Sequence, residues 1–307
     1  MLKKQHYGIV GKNSAIQVCR WTKKSLRDEG CCYKEQFYGV KSHRCCQMTP
    51  CFLCQNQCLH CWRAIEFGVG EKLDDYDEAG EIIEDCIAVQ RKMLSGFKGS
   101  IKTNLKKWRE AQNPEQFAIS LYGEPTLYPK LAELIIELRK KGKTSFLVTN
   151  GLLPEKIQEL EKKKALPTQL YVSLNYYDKE IFRKITRNKA RNSWKKLMKT
   201  LSLIKNLGTR TVIRINLVRD LNMQHEGEYA KLIKKAKPNF IEIKGYMSVG
   251  YARKRLGYDR MPTHSEIKEF TKILLKYLPK YKFLDEKIES RVVLLGKDKR
   301  KMKIQKI

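Results

Sequence analysis

The chain contains the run Cys51-Phe-Leu-Cys54-Gln-Asn-Gln-Cys58-Leu-His-Cys61-Trp62. Within it, Cys54, Cys58 and Cys61 form a Cys-x3-Cys-x2-Cys triplet. Three thiolates on one short loop can bind three irons of a [4Fe-4S] cube and leave the fourth iron without a protein ligand. An iron with open coordination positions can chelate and reduce a small cofactor. The triplet therefore predicts a redox site.

Zinc and disulfides are the alternative interpretations of these cysteines. A zinc site would combine Cys51-x2-Cys54 with Cys58-x2-Cys61, but only three residues separate the two pairs. Zinc ribbons usually leave roughly a dozen or more residues between their pairs, so that each pair has its own turn. Disulfides need an oxidising compartment, and nothing in the sequence indicates one. The spacing favours an iron–sulfur cluster.

The distribution of the ten cysteines points to the same chemistry. Nine of them lie between Cys19 and Cys61. No apolar run follows Met1, so we expect no signal peptide, and no apolar stretch is long enough to span a bilayer. We therefore expect a cytoplasmic chain whose cysteines serve metal or redox chemistry. The length of 307 residues suits one enlarged domain or two.

The charge balance is strongly basic. The chain has 63 Lys and Arg residues against 33 Asp and Glu, which leaves a formal net charge of +30. Adaptation to heat normally pairs opposite charges, so it does not explain this excess. Membrane-surface binding is disfavoured, because no basic amphipathic helix with an aromatic apolar face stands out. The excess predicts binding to RNA or DNA through phosphate contacts.

Apolar runs typical of strands alternate with helical patterns after the cysteine loop. Six strands are predicted at Cys45–Thr49, Phe117–Tyr122, Ser145–Thr149, Gln169–Asn175, Thr211–Val218 and Phe240–Tyr246. Helices are predicted between them near Asp77–Phe97, Tyr128–Lys141, Pro154–Lys163, Ser193–Leu207 and His225–Lys235. Cys86 recurs with Ile82 and Val89 at helical spacing, which predicts that it is a core residue. This alternation predicts a parallel sheet covered by helices, with six repeats instead of eight, and Arg291–Leu295 as an added edge strand.

The triplet, followed directly by the aromatic Trp62, resembles the signature of the radical S-adenosylmethionine (SAM) enzymes. In that family the open iron holds the amino and carboxylate groups of SAM, and electron transfer cleaves SAM to a 5′-deoxyadenosyl radical. The resemblance implies an α/β fold, a partial (β/α)6 TIM-like radical SAM barrel that admits a large substrate. Residues 44–246 would form the barrel, residues 1–43 a cysteine-bearing N-terminal extension, and residues 247–307 a basic C-terminal segment packed on it.

Active sites of such barrels gather at the C-terminal ends of the strands. The second predicted strand ends in Tyr122-Gly123-Glu124-Pro125-Thr126, which is similar to the family's Gly-Gly-Glu segment for the methionyl amino group of SAM. Tyr122 replaces the first glycine, so Gly123 and Glu124 carry the match. By the same analogy, Ser173 and Asn175 on the fourth strand would contact the ribose or carboxylate of SAM.

Further polar residues occupy the ends of the third and fifth strands. Asn150 follows the third strand, and Arg214 and Asn216 alternate with apolar neighbours on the fifth, as inward-facing positions do. Each has an ordinary explanation by itself, since Asn150-Gly151 is a common turn sequence and Ser173 can be a satisfied core hydroxyl. Their shared position at strand ends makes Asn150 and Asn216 further candidates for cofactor binding.

A second set of cysteines, Cys19, Cys32 and Cys45, has equal intervals of thirteen residues. These intervals are too long for a local metal knuckle, but three ligands can converge from separate turns onto one cluster. Cys31, Cys46 and Cys51 lie close to these positions in the sequence. The sequence therefore leaves open which three cysteines would bind the cluster. Some members of the set can also be buried thiols without a metal.

Beside the radical SAM triplet, the second set resembles the extra cluster of the tRNA 4-demethylwyosine synthases, the radical SAM enzymes of wyosine biosynthesis. The segments Gly123–Tyr128 and Lys244–Tyr251 also resemble that family, so the resemblance covers most of the chain. It implies two [4Fe-4S] clusters and SAM as cofactors. Longer relatives carry a flavodoxin-like domain that is not in this sequence, so we expect an external electron donor. We also expect a monomer.

The resemblance implies a condensation on tRNA. The substrate would be N1-methylguanosine just 3′ of the anticodon of tRNA(Phe), whose N-methyl group loses a hydrogen to the 5′-deoxyadenosyl radical. Pyruvate would supply two carbons, the carboxylate would be lost, and ring closure would give tricyclic 4-demethylwyosine. Lys34, two residues after Cys32, matches the lysine proposed in that family to engage pyruvate. A methylated base would have to leave the anticodon stack to reach a barrel interior.

Three basic segments are candidates for tRNA binding, namely Lys102–Arg109, Arg183–Arg191 and Tyr251–Arg260. The last is favoured because it follows the last predicted barrel strand, near the mouth of the site. Its candidate contacts are Arg253, Lys254, Arg255 and Arg260. A solvated helix face is the alternative for each segment.

Three other functions stay open. A radical SAM activase or maturase that acts on a protein would not require the basic charge. A zinc-bearing RNA-binding module without catalysis would be colourless, whereas an iron–sulfur protein is brown. A tRNA methylthiotransferase also uses two clusters, but we find no separate C-terminal RNA-binding β-domain.

Overall fold

One sheet of ten strands runs through the part of the chain that the computed structural model describes, residues 2–305. The strands are β1 (Gly8–Val10), β2 (Ser14–Gln17), β3 (Cys45–Thr49), β4 (Gln116–Ile119), β5 (Thr144–Thr149), β6 (Gln169–Ser173), β7 (Arg210–Leu217), β8 (Phe240–Gly245), β9 (Lys282–Lys287) and β10 (Val292–Gly296). Their order across the sheet is β1-β2-β3-β4-β5-β6-β7-β8-β10-β9. Neighbours from β3 to β8 are parallel, and the outer pairings are antiparallel. The sheet is open, with β1 and β9 at its edges.

Helices connect and cover these strands. They are α1 (Arg20–Ser25), α2 (Tyr33–Tyr38), α3 (Ala79–Leu94), α4 (Leu105–Ala111), α5 (Leu131–Lys140), α6 (Pro154–Lys162), α7 (Lys179–Thr186), α8 (Ser193–Ile204), α9 (Glu226–Ala236), α10 (Ala252–Leu256) and α11 (His264–Lys276). Strand–helix alternation around six parallel strands confirms the predicted partial radical SAM barrel. No helix within residues 2–305 is long and apolar enough to cross a membrane.

Successive side chains along each strand face opposite sides of the sheet. One set packs under the helices, and the other set faces the interior of the barrel. In β8, Ile241 and Ile243 join the large core under the helices, whereas Phe240 joins a second cluster inside the curve of the sheet. Tyr38 of α2 lies in that second cluster, with its ring centroid 5.8 Å from that of Phe240. Because α2 packs against the inner side of β5 to β8, the N-terminal extension fills part of the barrel interior.

The prediction for Arg291–Leu295 was partly wrong. The strand exists as β10, but it lies between β8 and β9 and is not at the edge. The true edge strand is β9, whose sequence Lys-Phe-Leu-Asp-Glu-Lys has too little apolar alternation to stand out. The short β1–β2 hairpin and the helices α1, α2, α4, α7, α10 and α11 were also not predicted. Cys86 is fully buried in the helix-covered core, as predicted.

Candidate active site

The loop of residues 50–64, called the cluster loop here, leaves the C-terminal end of β3 and carries the first cysteine triplet. Cys54, Cys58 and Cys61 are free and partly buried. Burial raises the pKa of the Cys58 thiol well above its ordinary value, and the neighbouring Cys54 and Cys61 raise it further. Such mutual effects arise only between groups that lie close together. The three thiols of the triplet therefore lie close together on the cluster loop.

The donor set fits a polynuclear iron–sulfur cluster. Its three free cysteine thiols are the ligands that such a cluster takes. A [4Fe-4S] cube takes one thiolate per iron, so its protein ligands stand farther apart than those of one ion. Burial raises the pKa of Cys54 to about 12, but a coordinating thiol loses its proton outright.

The segment after β6 holds one side of the cluster loop. The backbone N–H of Gln57 donates to the carbonyl of Thr186 over 2.8 Å, and that of Leu59 donates to Ile185 over 2.9 Å. The Asn188 side chain donates to the carbonyl of Gln55 over 3.2 Å. The loop is thereby hydrogen-bonded to the C-terminal end of α7 and to the segment that follows it.

The segment after β8 holds the other side. The Arg255 guanidinium donates to the carbonyls of Leu59 over 3.2 Å, of Arg63 over 3.1 Å, and of Cys61. It also pairs with Glu66 over 2.9 Å, and its side chain is only 10% exposed. One planar group with five N–H donors thus bonds three carbonyls of the cluster loop. No pattern in the sequence predicted this role of Arg255.

The predicted RNA-binding residues separate into two groups. Arg253 and Lys254 are exposed. The Arg253 side chain donates a hydrogen bond to the carbonyl of Ser248. Arg255 bonds the cluster loop, so its guanidinium is not a free surface cation. Arg260 donates to the carbonyls of Arg219 and Asp220, so it is partly occupied as well.

The segment after β4 passes under the cluster loop. Gly123 has φ +61°, and a Cβ there would lie 2.3 Å from the carbonyl oxygen of Cys51 and 2.6 Å from that of Leu53. The backbone N–H of Glu124 donates to the Leu53 carbonyl over 2.7 Å. Only glycine allows both this backbone conformation and this approach.

The Glu124 carboxylate connects the ends of β4 and β5. It accepts hydrogen bonds from the hydroxyls of Thr126 and Thr149 and from the backbone N–H of Asn150, at 2.6–2.7 Å. Burial raises its pKa, and these hydrogen bonds oppose that effect. Both carboxylate oxygens are therefore occupied. The structure assigns Glu124 a bracing role, and its contact with SAM stays a prediction.

Two of the predicted asparagines contact the cluster loop. The Asn150 side chain donates to that of Gln55 over 3.1 Å. The Asn175 amide lies 3.1 Å from the Nε2 atom of His60, and its oxygen accepts from the backbone N–H of Asn216 over 2.8 Å. The strand ends predicted from the sequence thus do meet beneath the cysteine triplet.

Deeper in the barrel, a network of charged and phenolic groups joins β7, β8 and α2. Arg214 pairs with Glu242 over 2.7 Å and donates to the Tyr33 hydroxyl over 2.7 Å. The Tyr38 hydroxyl donates to the other oxygen of Glu242 over 2.8 Å. Ser173 lies beside Arg214 in the register of β6 and β7. The sequence placed Arg214 inward but could not show its partners.

The second set of cysteines also converges. Cys19 is the N-cap of α1 and accepts from the backbone N–H of Thr22, and Cys32 is the N-cap of α2 and accepts from that of Lys34. Cys45 begins β3. Burial raises the pKa of the Cys45 thiol well above its ordinary value, and the nearby Cys19 and Cys32 raise it further. Three separate turns therefore bring these thiols together.

The neighbouring cysteines lie elsewhere. Cys46 faces the helix layer and lies in the same core cluster as Cys86, and this neighbouring thiol raises the pKa of Cys46 well above its ordinary value. Cys51 accepts from the backbone N–H of Leu53 within its own loop, over 3.4 Å. Cys31 is partly exposed. Of the possible sets of three ligands, the geometry favours the equally spaced one, Cys19, Cys32 and Cys45.

Two lysines lie beside the second set. The Lys34 ammonium lies 5.2 Å from the ring centroid of Phe146 and 5.4 Å from that of Tyr171. Burial lowers its pKa, and Arg214 lowers it further, while Cys45 and Cys32 act in the opposite direction. Burial likewise lowers the pKa of Lys244 to about 8.

Exposed cations and apolar side chains surround the cluster loop. We call this surface the rim; it comprises Trp62, Arg183, Lys184, Arg187, Lys189, Arg191, Met247, Val249, Arg253, Lys254 and Tyr258, all exposed. The segment Lys102–Arg109 lies elsewhere, because α4 precedes β4 and therefore adjoins the N-terminal ends of the strands. Two of the three basic segments thus flank the site.

Comparisons with known proteins agree with this geometry. The family model of the radical SAM superfamily matches residues 48–233, and the model described as wyosine base formation matches residues 235–297. The S-adenosyl-L-methionine-dependent tRNA 4-demethylwyosine synthase of Pyrococcus horikoshii is 46% identical over 300 residues, which cover 97% of this chain and 88% of the relative. That of Methanocaldococcus jannaschii is 38% identical, with 98% and 96% covered.

A solved structure of TYW1 with a lysine–pyruvate adduct bound superposes with a TM-score of 0.87 at 37% identity, covering 99% of this chain and 95% of that one. Sequence, fold and the arrangement of cysteines therefore agree. The chain belongs to the S-adenosyl-L-methionine-dependent tRNA 4-demethylwyosine synthases, a family of radical SAM enzymes.

Proposed function

We propose that this protein condenses N1-methylguanosine, 3′ of the anticodon of tRNA(Phe), with pyruvate to form 4-demethylwyosine. The observation that carries the proposal is a second convergent cysteine set in the barrel interior with the half-buried Lys34 beside it, in addition to the first set on the cluster loop. A barrel for SAM cleavage alone needs only the first set. The second set and the lysine supply a place for another reactant.

The first set, Cys54, Cys58 and Cys61, would hold the cluster that binds SAM. Such a cluster, once reduced, supplies the electron that cleaves SAM to a 5′-deoxyadenosyl radical. The protein positions the loop through its two clamps, at the end of α7 and at Arg255. Asn150 and the segment of Gly123 and Glu124 would line the SAM site, and Ser173, Asn175 and Asn216 would do so from the adjacent strands.

The second set, Cys19, Cys32 and Cys45, would hold the other [4Fe-4S] cluster. Anaerobic reconstitution should then give about eight irons per chain, and each triple Cys→Ala variant about four. Loss of the first set should abolish SAM cleavage, whereas loss of the second should spare uncoupled cleavage. Full iron content in both triple variants would contradict the assignment.

Lys34 would engage pyruvate. Its amine can attack the ketone carbon, so that a C–N bond forms and the ketone oxygen leaves as water with both amine protons. The TYW1 relative solved with a lysine–pyruvate adduct supports this role. Borohydride should trap labelled pyruvate on the peptide that contains Lys34, and Lys34→Ala should lose both adduct and product. Normal turnover by that variant would exclude the role.

The rim would bind the anticodon arm. Its cations can contact phosphates, and its exposed aromatic side chains can stack on unpaired bases. Neutralising Arg253 and Lys254 together should lower the salt slope of tRNA affinity by roughly two, about one per phosphate contact. The matched control neutralises Lys102 and Lys106, two exposed cations that adjoin the opposite end of the strands. An equal effect in the control would exclude the rim as the specific surface.

We further propose a cytoplasmic monomer that takes electrons from an external donor. Both cysteine sets and both clamps of the cluster loop come from one chain, which supports a complete site in each monomer. The test of the whole function is anaerobic incubation with SAM, pyruvate, a reductant and tRNA, followed by mass spectrometry of the nucleosides. The tricyclic base should form from tRNA with N1-methylguanosine and not from the same tRNA with guanosine.

A further inference from the structure

A second half-buried lysine in the barrel interior is not among the residues assigned to the proposed reaction. Lys244 lies in β8 opposite Asn216 of β7, on the inward face of the sheet. Cys32 and Lys34 both affect its protonation, so it lies near the second cysteine set and near the proposed pyruvate lysine. Its ammonium is 4.8 Å from the ring centroid of Tyr33, the residue that precedes Lys34.

Among residues 2–305, no carboxylate forms an ion pair with Lys244. Glu242 is the nearby carboxylate, but one of its oxygens accepts from Arg214 and the other from Tyr38. Arg214 and Glu242 therefore neutralise each other. The cationic charge of Lys244 is not balanced by this pair.

Within residues 2–305, the N–H donors of Lys244 are only partly used. An ammonium has three N–H donors, and the hydrogen bond described for Lys244 is one to the carbonyl of Ser290, over 2.9 Å. The Ser290 hydroxyl is buried and has no partner within residues 2–305. This corner of the interior thus combines a cation that has no carboxylate ion pair with unused hydrogen-bonding groups. Such a corner suits a small carboxylate.

We propose that Lys244 binds the carboxylate of pyruvate while Lys34 forms the imine with its ketone, an inference that rests on the function proposed above for Lys34. Pyruvate carries its two functional groups on adjacent carbons, so two neighbouring cations can engage both ends. Lys244 would hold the ketone carbon in reach of Lys34. It would also select an α-keto acid over an uncharged ketone.

The test compares trapping by borohydride with pyruvate and with pyruvamide, its uncharged analogue. In the wild-type protein, trapping at Lys34 should favour pyruvate by about 10- to 100-fold, the range for one charge-assisted hydrogen bond. Lys244→Met should lose this preference through slower trapping of pyruvate, with pyruvamide unchanged. Lys244→Arg should restore part of the preference, because it keeps the charge.

A matched control is Lys143→Met. Lys143 is also partly desolvated, but it lies just before β5 and its ammonium bonds the Asn113 side chain over 2.6 Å. Its replacement should leave the preference for pyruvate intact. If Lys244→Met retains the wild-type preference, or if it slows trapping of both ketones equally, the inference is wrong.

A second measurement separates this inference from the role of Lys34. Calorimetry gives the Kd of pyruvate in Lys34→Ala, where no imine can form at that position, and in Lys34→Ala combined with Lys244→Met. The second replacement should weaken binding by about 10-fold or more. Equal Kd values would overturn the role of Lys244. A wild type that gives no borohydride adduct would overturn only the imine at Lys34.

Discussion

Replacing Arg255 by methionine should open the cluster loop while the barrel stays folded. The wild-type guanidinium donates to three carbonyls of the loop, those of Leu59, Cys61 and Arg63. Methionine has a similar length and apolar stem but no donor. The exposed partner Glu66 adds little, because a surface ion pair contributes at most about 1 kcal/mol.

The size of the effect follows from the carbonyls left without a donor. Each half-buried carbonyl that loses a charged donor costs roughly 1–3 kcal/mol, and water entering the opened loop recovers part of this. We expect a net loss of about 3 kcal/mol for the closed loop, which corresponds to about a 100-fold increase in the open population. Arg255→Lys should retain less than half of this stabilisation of the closed loop, because a single ammonium cannot reproduce the planar donor geometry of a guanidinium.

Hydrogen exchange followed by mass spectrometry measures this population directly. The amides of Gln57 and Leu59, which bond α7 in the closed loop, should exchange about 100-fold faster in Arg255→Met. The control is Arg253→Met, a surface change that should alter exchange by about two-fold at most. Equal exchange in wild type and Arg255→Met would refute the clamp.

Three further predictions concern a surface ion pair, the glycine under the cluster loop and the cysteines of β3. The pairing with Arg219 lowers the pKa of Glu266 to about 2, so this carboxylate should stabilise the protein above pH ~5 and lose that effect as the pH falls towards ~2. Glu266→Gln should remove this pH dependence of the free energy of unfolding, as measured with urea. The change should be about 1 kcal/mol at most, because the Glu266 side chain is 37% exposed. Gly123→Ala should lower stability by more than ~2 kcal/mol and reduce iron content, because its Cβ would overlap carbonyls of the cluster loop. Cys45→Ala should halve the iron content, whereas Cys46→Ala, on the opposite face of the same strand, should leave it unchanged; equal losses would contradict the ligand register.

Local patterns in the sequence predicted the parts of the structure that depend on neighbouring residues. The first cysteine triplet lies on one short loop, so its spacing in the sequence was enough to identify its three members. The six parallel strands have nearly continuous apolar sequences, and their predicted bounds differ from the observed ones by three residues or fewer. Because active sites of such barrels gather at strand ends, Asn150 and Asn175 could be placed near the cluster loop in advance.

Contacts between distant segments could not be predicted in the same way. Arg255 was expected to bind RNA, because a cation in a basic segment gives no indication that it will fold back onto carbonyls almost two hundred residues earlier. Glu242 stands between two isoleucines, and only the fold shows that Arg214 and Tyr38 occupy it. The edge strand β9 is rich in charge, since one of its faces needs no apolar cover.

Isotope transfer in a single anaerobic incubation tests the central claim most directly. The tRNA carries N1-methylguanosine with a deuterated methyl group, and every carbon of the pyruvate is ¹³C. The account predicts that deuterium appears in 5′-deoxyadenosine and that the new tricyclic nucleoside contains two ¹³C atoms. Deuterium-free 5′-deoxyadenosine together with unchanged N1-methylguanosine would contradict it.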